Sequence, residues 1–333
     1  MIRALGVELL RLRKRRAAWL LTVLALVGCL VVLGFAIGNQ APPSASDRAA
    51  AQAQVDRQIA DPAFQQQLKE CQDAVAAGGS QDWPAGMDCA ESMTPKVEWF
   101  LGWSPPQFVH NYADQLLAVT LILALAMALV GVTFAGADFS SGTIGTQLLF
   151  QPRRTVAFSG KGGALVLLAL LAGVVGVVLA GVASYWAAAQ WGSTAMVRQV
   201  ANGTVDVTWG ELIWDGVRAI LGVAAASLGG FALAMLFRSS LVAVSIIAGY
   251  GLVVEAVIRS LFRGIEPYLV SSRVAAWLQG PYEIRIYPQS CGPGPCEPTV
   301  TTISVAAGGE YLLVLLAVLV LLAGWAFARR DVN

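Results

Sequence analysis

Six apolar runs of about twenty residues each constrain this chain more than any other feature. They fall at 17–38, 115–136, 162–187, 213–236, 241–262 and 310–328. A helix rises about 1.5 Å per residue, so each run matches a hydrocarbon core roughly 30 Å thick. A backbone in lipid has no water to bond, and a helix satisfies its own polar groups. The chain is 56% hydrophobic and 13% charged, against about 25% charged in a typical soluble domain. The expected fold class is therefore an all-α integral membrane protein with six transmembrane helices. The first run is too long for a removable signal peptide and lacks a small-residue cleavage site. It reads as an uncleaved anchor.

The intervening segments orient the spans. RLRKRR precedes the first span, Arg153, Arg154 and Lys161 follow the second, and ARRDVN closes the chain. Segments expected on that face hold twelve of the 22 basic residues but three of the 21 acidic ones. By the positive-inside rule this face is the cytoplasmic one, with both termini on it. The location expected is a bacterial plasma membrane, since Ala, Gly and Val are abundant, and arginine far outnumbers a scarce lysine.

Between the spans the chain divides as follows. Residues 1–16 place Ile2, Leu5, Leu9 and Leu12 at helical spacing among arginines, the pattern of an amphipathic helix on the inner leaflet; a plain basic anchor is the simpler reading. Residues 39–114 form an extracytoplasmic segment with helical stretches. Trp99, Phe100, Trp103, Phe108 and Tyr112 in it suit a membrane-interface belt. Residues 188–212 are a short outer loop, and 263–309 a second outer segment with turns and short strands. Residues 329–333 are a cytoplasmic tail.

Cys29 lies in the first span as a small apolar residue. Cys71, Cys89, Cys291 and Cys296 fall on the oxidising face and suggest two disulfides. Pairing 71 with 89 and 291 with 296 is one connectivity, and cross-pairing between the two outer segments is the other. Zinc is the competing reading, but no histidine lies near either pair; the single histidine, His110, precedes the second span.

The polar insert at 137–161 separates the second and third spans. Asp138, Ser140 and Ser141 are candidate N-caps for a short helix, on which Ile144, Leu148 and Leu149 share a face. Pro152 ends it, and Arg153 and Arg154 suit its C-terminal dipole. The plainest reading is a loop that happens to be amphipathic. The spacing of Asp138, Gly142, Thr143, Leu148, Leu149, Pro152 and Arg154, with Lys161 at the next span, resembles the ABC-2 type transporter permeases. The six-span plan, the basic N-terminus and the closing FARRDV are similar too. Asp138 stands where that family more often has Glu, and the length of 39–114 departs from the compact family plan. The resemblance implies that 137–161 is a coupling helix, docked on a cytoplasmic ATP-binding subunit. Two such subunits would serve two permease copies, as a homodimer or a related heterodimer. ATP and magnesium would sit on that partner, and no nucleic acid is implied.

The chain itself is not expected to hydrolyse ATP. A phosphate-binding loop needs Ser or Thr after Gly-Lys, and FSGKGG has Gly162 there. No metalloprotease motif, nucleophile elbow or Cys–His dyad is present. Two intrahelical pairs stand near the outer ends of spans, Asp215 with Arg218 and Glu255 with Arg259. The spacing allows ion pairs, serving either structure or a transport path. The function expected is export of a hydrophobic or amphipathic substrate such as a drug, peptide or lipid. The alternative is a membrane sensor or immunity component whose outer segment binds a ligand.

Overall fold

The computed structural model describes residues 2–79, 83–84, 86–150, 153–200, 203–286 and 298–329. Six of its helices are long and apolar enough to cross a membrane: Arg16–Asn39, Phe108–Ser140, Arg154–Trp191, Trp209–Phe237, Ser240–Leu261 and Val305–Arg329. The chain is a helical, multi-pass membrane protein. The start of the first span, the end of the second, the start of the third and the end of the sixth meet on one side. We call this the N-terminal side and the other the far side.

The second and third spans overrun the expected 115–136 and 162–187 at both ends, reaching 33 and 38 residues. Hydropathy marks where lipid ends, whereas the helix continues as long as protein packs against it. At the far side Phe108, Val109, Tyr112 and Leu116 are buried with Val207 and Leu212. Phe108 and Tyr112 therefore face protein and not a lipid-interface belt, while Trp99 stays exposed. The fifth span changes winding, with Ser240–Gly249 α-helical and Tyr250–Ile258 a π-helix before Arg259–Leu261 resumes the α form.

The second, third and fourth spans make the packed centre, around Met127, Val130, Phe134, Leu165 and Phe231. Lipid tails are as apolar as leucine, so such contacts gain from close fit and polar bonding more than from leaving water. Close fit comes from glycine. Gly131 lies against the Ser227 carbonyl and Gly230 against the Ala128 carbonyl, so a Cβ at either would collide with the neighbouring backbone. The second and fourth spans can approach this closely only because both positions lack a side chain.

On the far side, the segment after the first span holds helices Ala45–Ile59, Pro62–Ala76, Cys89–Met93 and Val97–Leu101. Ser44 and Asp47 form a reciprocal capping box at the first of these, and Asp61 caps the second, with Pro62 at its first position. A disulfide joins Cys71 to Cys89, with Cα atoms 6.0 Å apart. The segment is tied to the bundle through Gln40, which accepts from Trp103 Nε1 (3.0 Å) and from Asn111 Nδ2 (3.1 Å).

Two antiparallel hairpins depart from a purely helical plan. Val197–Val200 pairs with Gly203–Asp206, in a stretch expected to be only a short loop. Tyr282–Ile286 pairs with Thr299–Ile303, placing Tyr282 opposite Ile303. The second hairpin follows helix Val270–Gln279 and buries Ile284 and Ile303 against Ala276. Cys291 and Cys296 lie outside the described residues.

Candidate functional site: an ionic junction beneath the insert

The N-terminal helix, Ile2–Lys14, turns toward the protein a stripe of Leu5, Glu8, Leu12 and Arg15, the last at its junction with the first span. The set expected to face the leaflet, Ile2, Leu5, Leu9 and Leu12, is thus split, with Leu5 and Leu12 turned to protein. Leu9 is exposed, and Glu8, the one acid among the first sixteen residues, is 3% exposed. The reason is what lies beneath it. Glu8 Oε1 accepts from Gln147 Nε2 at 2.5 Å and from Arg11 at 3.2 Å, and Glu8 Oε2 is 3.8 Å from Lys161 Nζ.

Asp138 is the centre of the junction. It sits in the last turn of the second span, buried, with one carboxylate oxygen bonded to the Arg15 guanidinium and the other to Lys161 Nζ. Lys161 is 2% exposed, in the second turn of the third span. Arg15 also donates to the Phe134 carbonyl at 2.8 Å. The Phe134 ring lies under both cations, its centre 4.7 Å from the guanidinium and 5.5 Å from the ammonium. One carboxylate thus faces two cations drawn from separate helices, a buried ammonium and a partly exposed guanidinium. Removing any member strands a charge in a medium that solvates it poorly.

The insert leaves this junction through one turn. The second span continues through Asp138 to Ser140, so Asp138, Ser140 and Ser141 do not act as N-caps for the insert. The hydroxyls of Ser140 and Ser141 donate back to the Ala137 carbonyl, at 3.1 and 2.7 Å. Gly142 then takes φ +67°, and its N–H bonds the Phe139 carbonyl. This left-handed residue ends the span as glycine does after many helices. Thr143 opens the insert helix, Thr143–Phe150, with its hydroxyl 3.5 Å from the Asp138 carboxylate. Ile144 is buried beneath it, while Leu149 is 82% exposed. The Leu148 side chain and Pro152 lie outside the described residues.

The two arginines after the insert also differ from expectation. Arg153 is exposed at the N-cap position of the third span. Arg154 donates to the Phe327 and Ala328 carbonyls, at 3.3 and 3.4 Å, in the last turn of the sixth span. The helix end it serves is the sixth span's, because Arg154 is the first residue of the third span and the carbonyls it reaches close the sixth.

A second ionic junction lies on the far side. Asp215 pairs with Arg218 one turn along the fourth span, and Arg198 of the first hairpin stands 3.6 Å away. Arg218 donates to the Trp277 carbonyl at 2.8 Å, and Trp277 Nε1 returns a bond to the Arg218 carbonyl at 3.3 Å. These bonds fasten helix Val270–Gln279 to the bundle. Glu255 and Arg259 do not pair. Glu255 accepts from the Ser271 amide (3.0 Å) and hydroxyl (2.5 Å), and Arg259 pairs with Glu266. The spacing argument assumed an α-helix, and the π-helical turn brings i and i+5, not i and i+4, onto one face.

The missed residues are Glu8, Arg15 and Gln147 at the N-terminal junction and Trp277 at the far one. Only Glu8 carried a signal, as an acid isolated in a basic stretch. No protein-family model matches the chain, and no curated protein matches it.

Proposed function

We propose that this chain is the membrane subunit of an ATP-driven exporter of the ABC-2 type, working as a pair of permeases with two copies of a separate ATP-binding subunit. The observation that carries this reading is the insert helix. It offers Leu149 to solvent while its other side is held by the buried Ile144 and by bonds from Gln147 to Glu8 of the N-terminal helix and from Thr143 to Asp138 of the second span, the carboxylate that also binds Lys161 of the third. A force applied to such a helix reaches three membrane elements through bonds that do not slide. A loop with no mechanical role has little need of a buried carboxylate paired with a buried lysine beneath it. In this reading the junction face is cytoplasmic, and closure of the partner around ATP drives the spans. The resemblance carried by Asp138, Gly142, Thr143 and Lys161 supports the same assignment.

The test is co-purification of the chain with the ATP-binding subunit encoded beside it, in mild detergent. Wild type should retain that subunit stoichiometrically. Leu149→Asp should lose it while keeping its own elution volume, because the side chain is exposed and free of internal packing. If wild type retains no ATPase, the proposal fails, and the disulfide-bonded far-side segment becomes the place to seek a ligand.

A further inference from the structure

Two grooves open between spans in the far-side half of the bundle. One, of about 610 Å³, lies between the second, third and fourth spans and is walled by Phe108, Tyr185, Trp186 and Trp209. It has no acidic or basic side chain in its lining. The other, of about 570 Å³, lies between the third, fourth and sixth spans. Its floor is aliphatic, with Leu221, Leu228, Leu313 and Leu316, and its far-side end is closed by Trp277 and Glu310.

Glu310 is what separates the two. It stands in the second turn of the sixth span, exposed, and makes no ion pair or hydrogen bond with any described residue. Neither of the basic groups nearby pairs with it among the described residues. Arg218 is held by Asp215 and the Trp277 carbonyl, and Arg273 lies over the Tyr311 ring at 5.3 Å. As an exposed carboxylate at the head of an aliphatic trough, Glu310 is solvated while the groove is empty and offers a counter-charge to a cation whose apolar tail enters it. From Glu310 to Leu316 the trough runs roughly 9 Å along the helix. That geometry has the polarity of a single-chain amphiphile, charged at the interface and apolar toward the membrane centre.

We infer that this groove binds cationic amphiphiles, an ammonium head against the Glu310 carboxylate and an alkyl chain along Leu313 and Leu316. The inference rests on the export reading only in making such molecules the cargo class. Binding to the groove stands or falls without the ATPase. The same groove in a neutral form would take any lipid chain, and the unpaired charge is what selects the head group.

The test uses the full chain in nanodiscs of zwitterionic phosphatidylcholine, with radiolabelled dodecyltrimethylammonium as probe and no ATP-binding subunit. Saturable binding at one site per chain is expected. Glu310→Gln, a near-isostere at an exposed position, should weaken it about tenfold or more, the scale of a lost charge-assisted contact. Ala225→Phe, which fills the floor, should abolish it, and Trp209→Leu in the other groove should leave it unchanged. Dodecanol, with the same chain and no charge, should compete at least about tenfold less well. Equal binding to Glu310→Gln, equal competition by dodecanol, or unsaturable uptake would each overturn the inference. Saturable, Glu310-dependent binding by a chain that retains no ATPase supports the site while the export reading falls. ATPase retention with no ammonium binding does the reverse.

Discussion

Two carboxylates, Asp138 and Asp215, each face two cations at opposite ends of the bundle, and they are built in different ways. Asp138 draws Arg15 from 123 residues away and Lys161 from 23 away, with Lys161 almost fully buried. Asp215 takes its main partner from its own helix, and its second, Arg198, is 43% exposed. The first junction therefore decides how the N-terminal helix, the insert and two spans sit together. The second holds a surface helix onto a span that would exist without it. A local pair can be lost while the helices keep their places, whereas a pair that crosses the fold cannot.

The comparison makes its largest claim at Asp138. Asp138→Asn keeps the shape but leaves Arg15 without its counter-charge and Lys161 with only the more distant Glu8, and should destabilise by about 3–5 kcal/mol, as for other broken buried pairs. Asp215→Asn should cost less, about 1–3 kcal/mol, because Arg198 reaches water and Arg218 keeps the Trp277 carbonyl. Unfolding of the two variants in the same detergent, followed by tryptophan fluorescence and elution profile, measures both. Equal losses would erase the distinction between the two junctions.

A double-mutant cycle sharpens it. Lys161→Met alone strands part of the Asp138 charge, but combined with Asp138→Asn it removes both partners from the same dry site. The pair should show a coupling energy of about 1–3 kcal/mol, with the double variant more stable than the sum of singles. The corresponding cycle for Asp215→Asn with Arg198→Met should give less than about 1 kcal/mol, the range of half-exposed pairs. An effect of similar size is expected of Trp277→Phe, which deletes the Nε1 bond to the Arg218 carbonyl. It should cost about 1 kcal/mol and speed amide exchange in Val270–Gln279, leaving the insert undisturbed.

The same contrast explains what was legible in the sequence. Apolar runs located all six spans, because lipid imposes length and hydropathy on each span separately. The Asp215–Arg218 pair was legible for a similar reason, since its partners share one helix face. Arg154 was misassigned to the insert helix, because nothing local says that the sixth span ends beside it. Glu255 and Arg259 have the right spacing for a pair, and the π-helical turn that defeats it leaves no mark in composition. Glu8, Arg15 and Gln147 meet only when three distant segments pack, so no window along the chain contains them. Asp138, Gly142, Thr143 and Lys161 were found by family resemblance, and the structure supplies physical reasons for each: a shared counter-charge, a left-handed turn, a hydroxyl beside the carboxylate and a buried ammonium.

The smallest effect belongs to a third carboxylate, Asp47, which is exposed and, among the described residues, bonded through its side chain only to Ser44. The Ser44 hydroxyl donates to it at 2.6 Å and the Ser44 amide at 2.9 Å. These bonds hold its pKa below the ordinary aspartate value of 3.8. A group whose folded pKa is lowered contributes stability above its unfolded value and loses it as pH falls through the folded one. The cap on helix Ala45–Ile59 should thus be intact at neutral pH and weaken only below the ordinary carboxylate range. Amide exchange at Ala45–Arg48 should be faster in Asp47→Asn than in wild type at pH 6, and the two should converge in acid. The far-side junction and the insert should be indifferent to this change, because one solvated helix end carries no strain into the bundle. A loss of global stability in Asp47→Asn would mean that burial and sequence distance do not rank these three carboxylates.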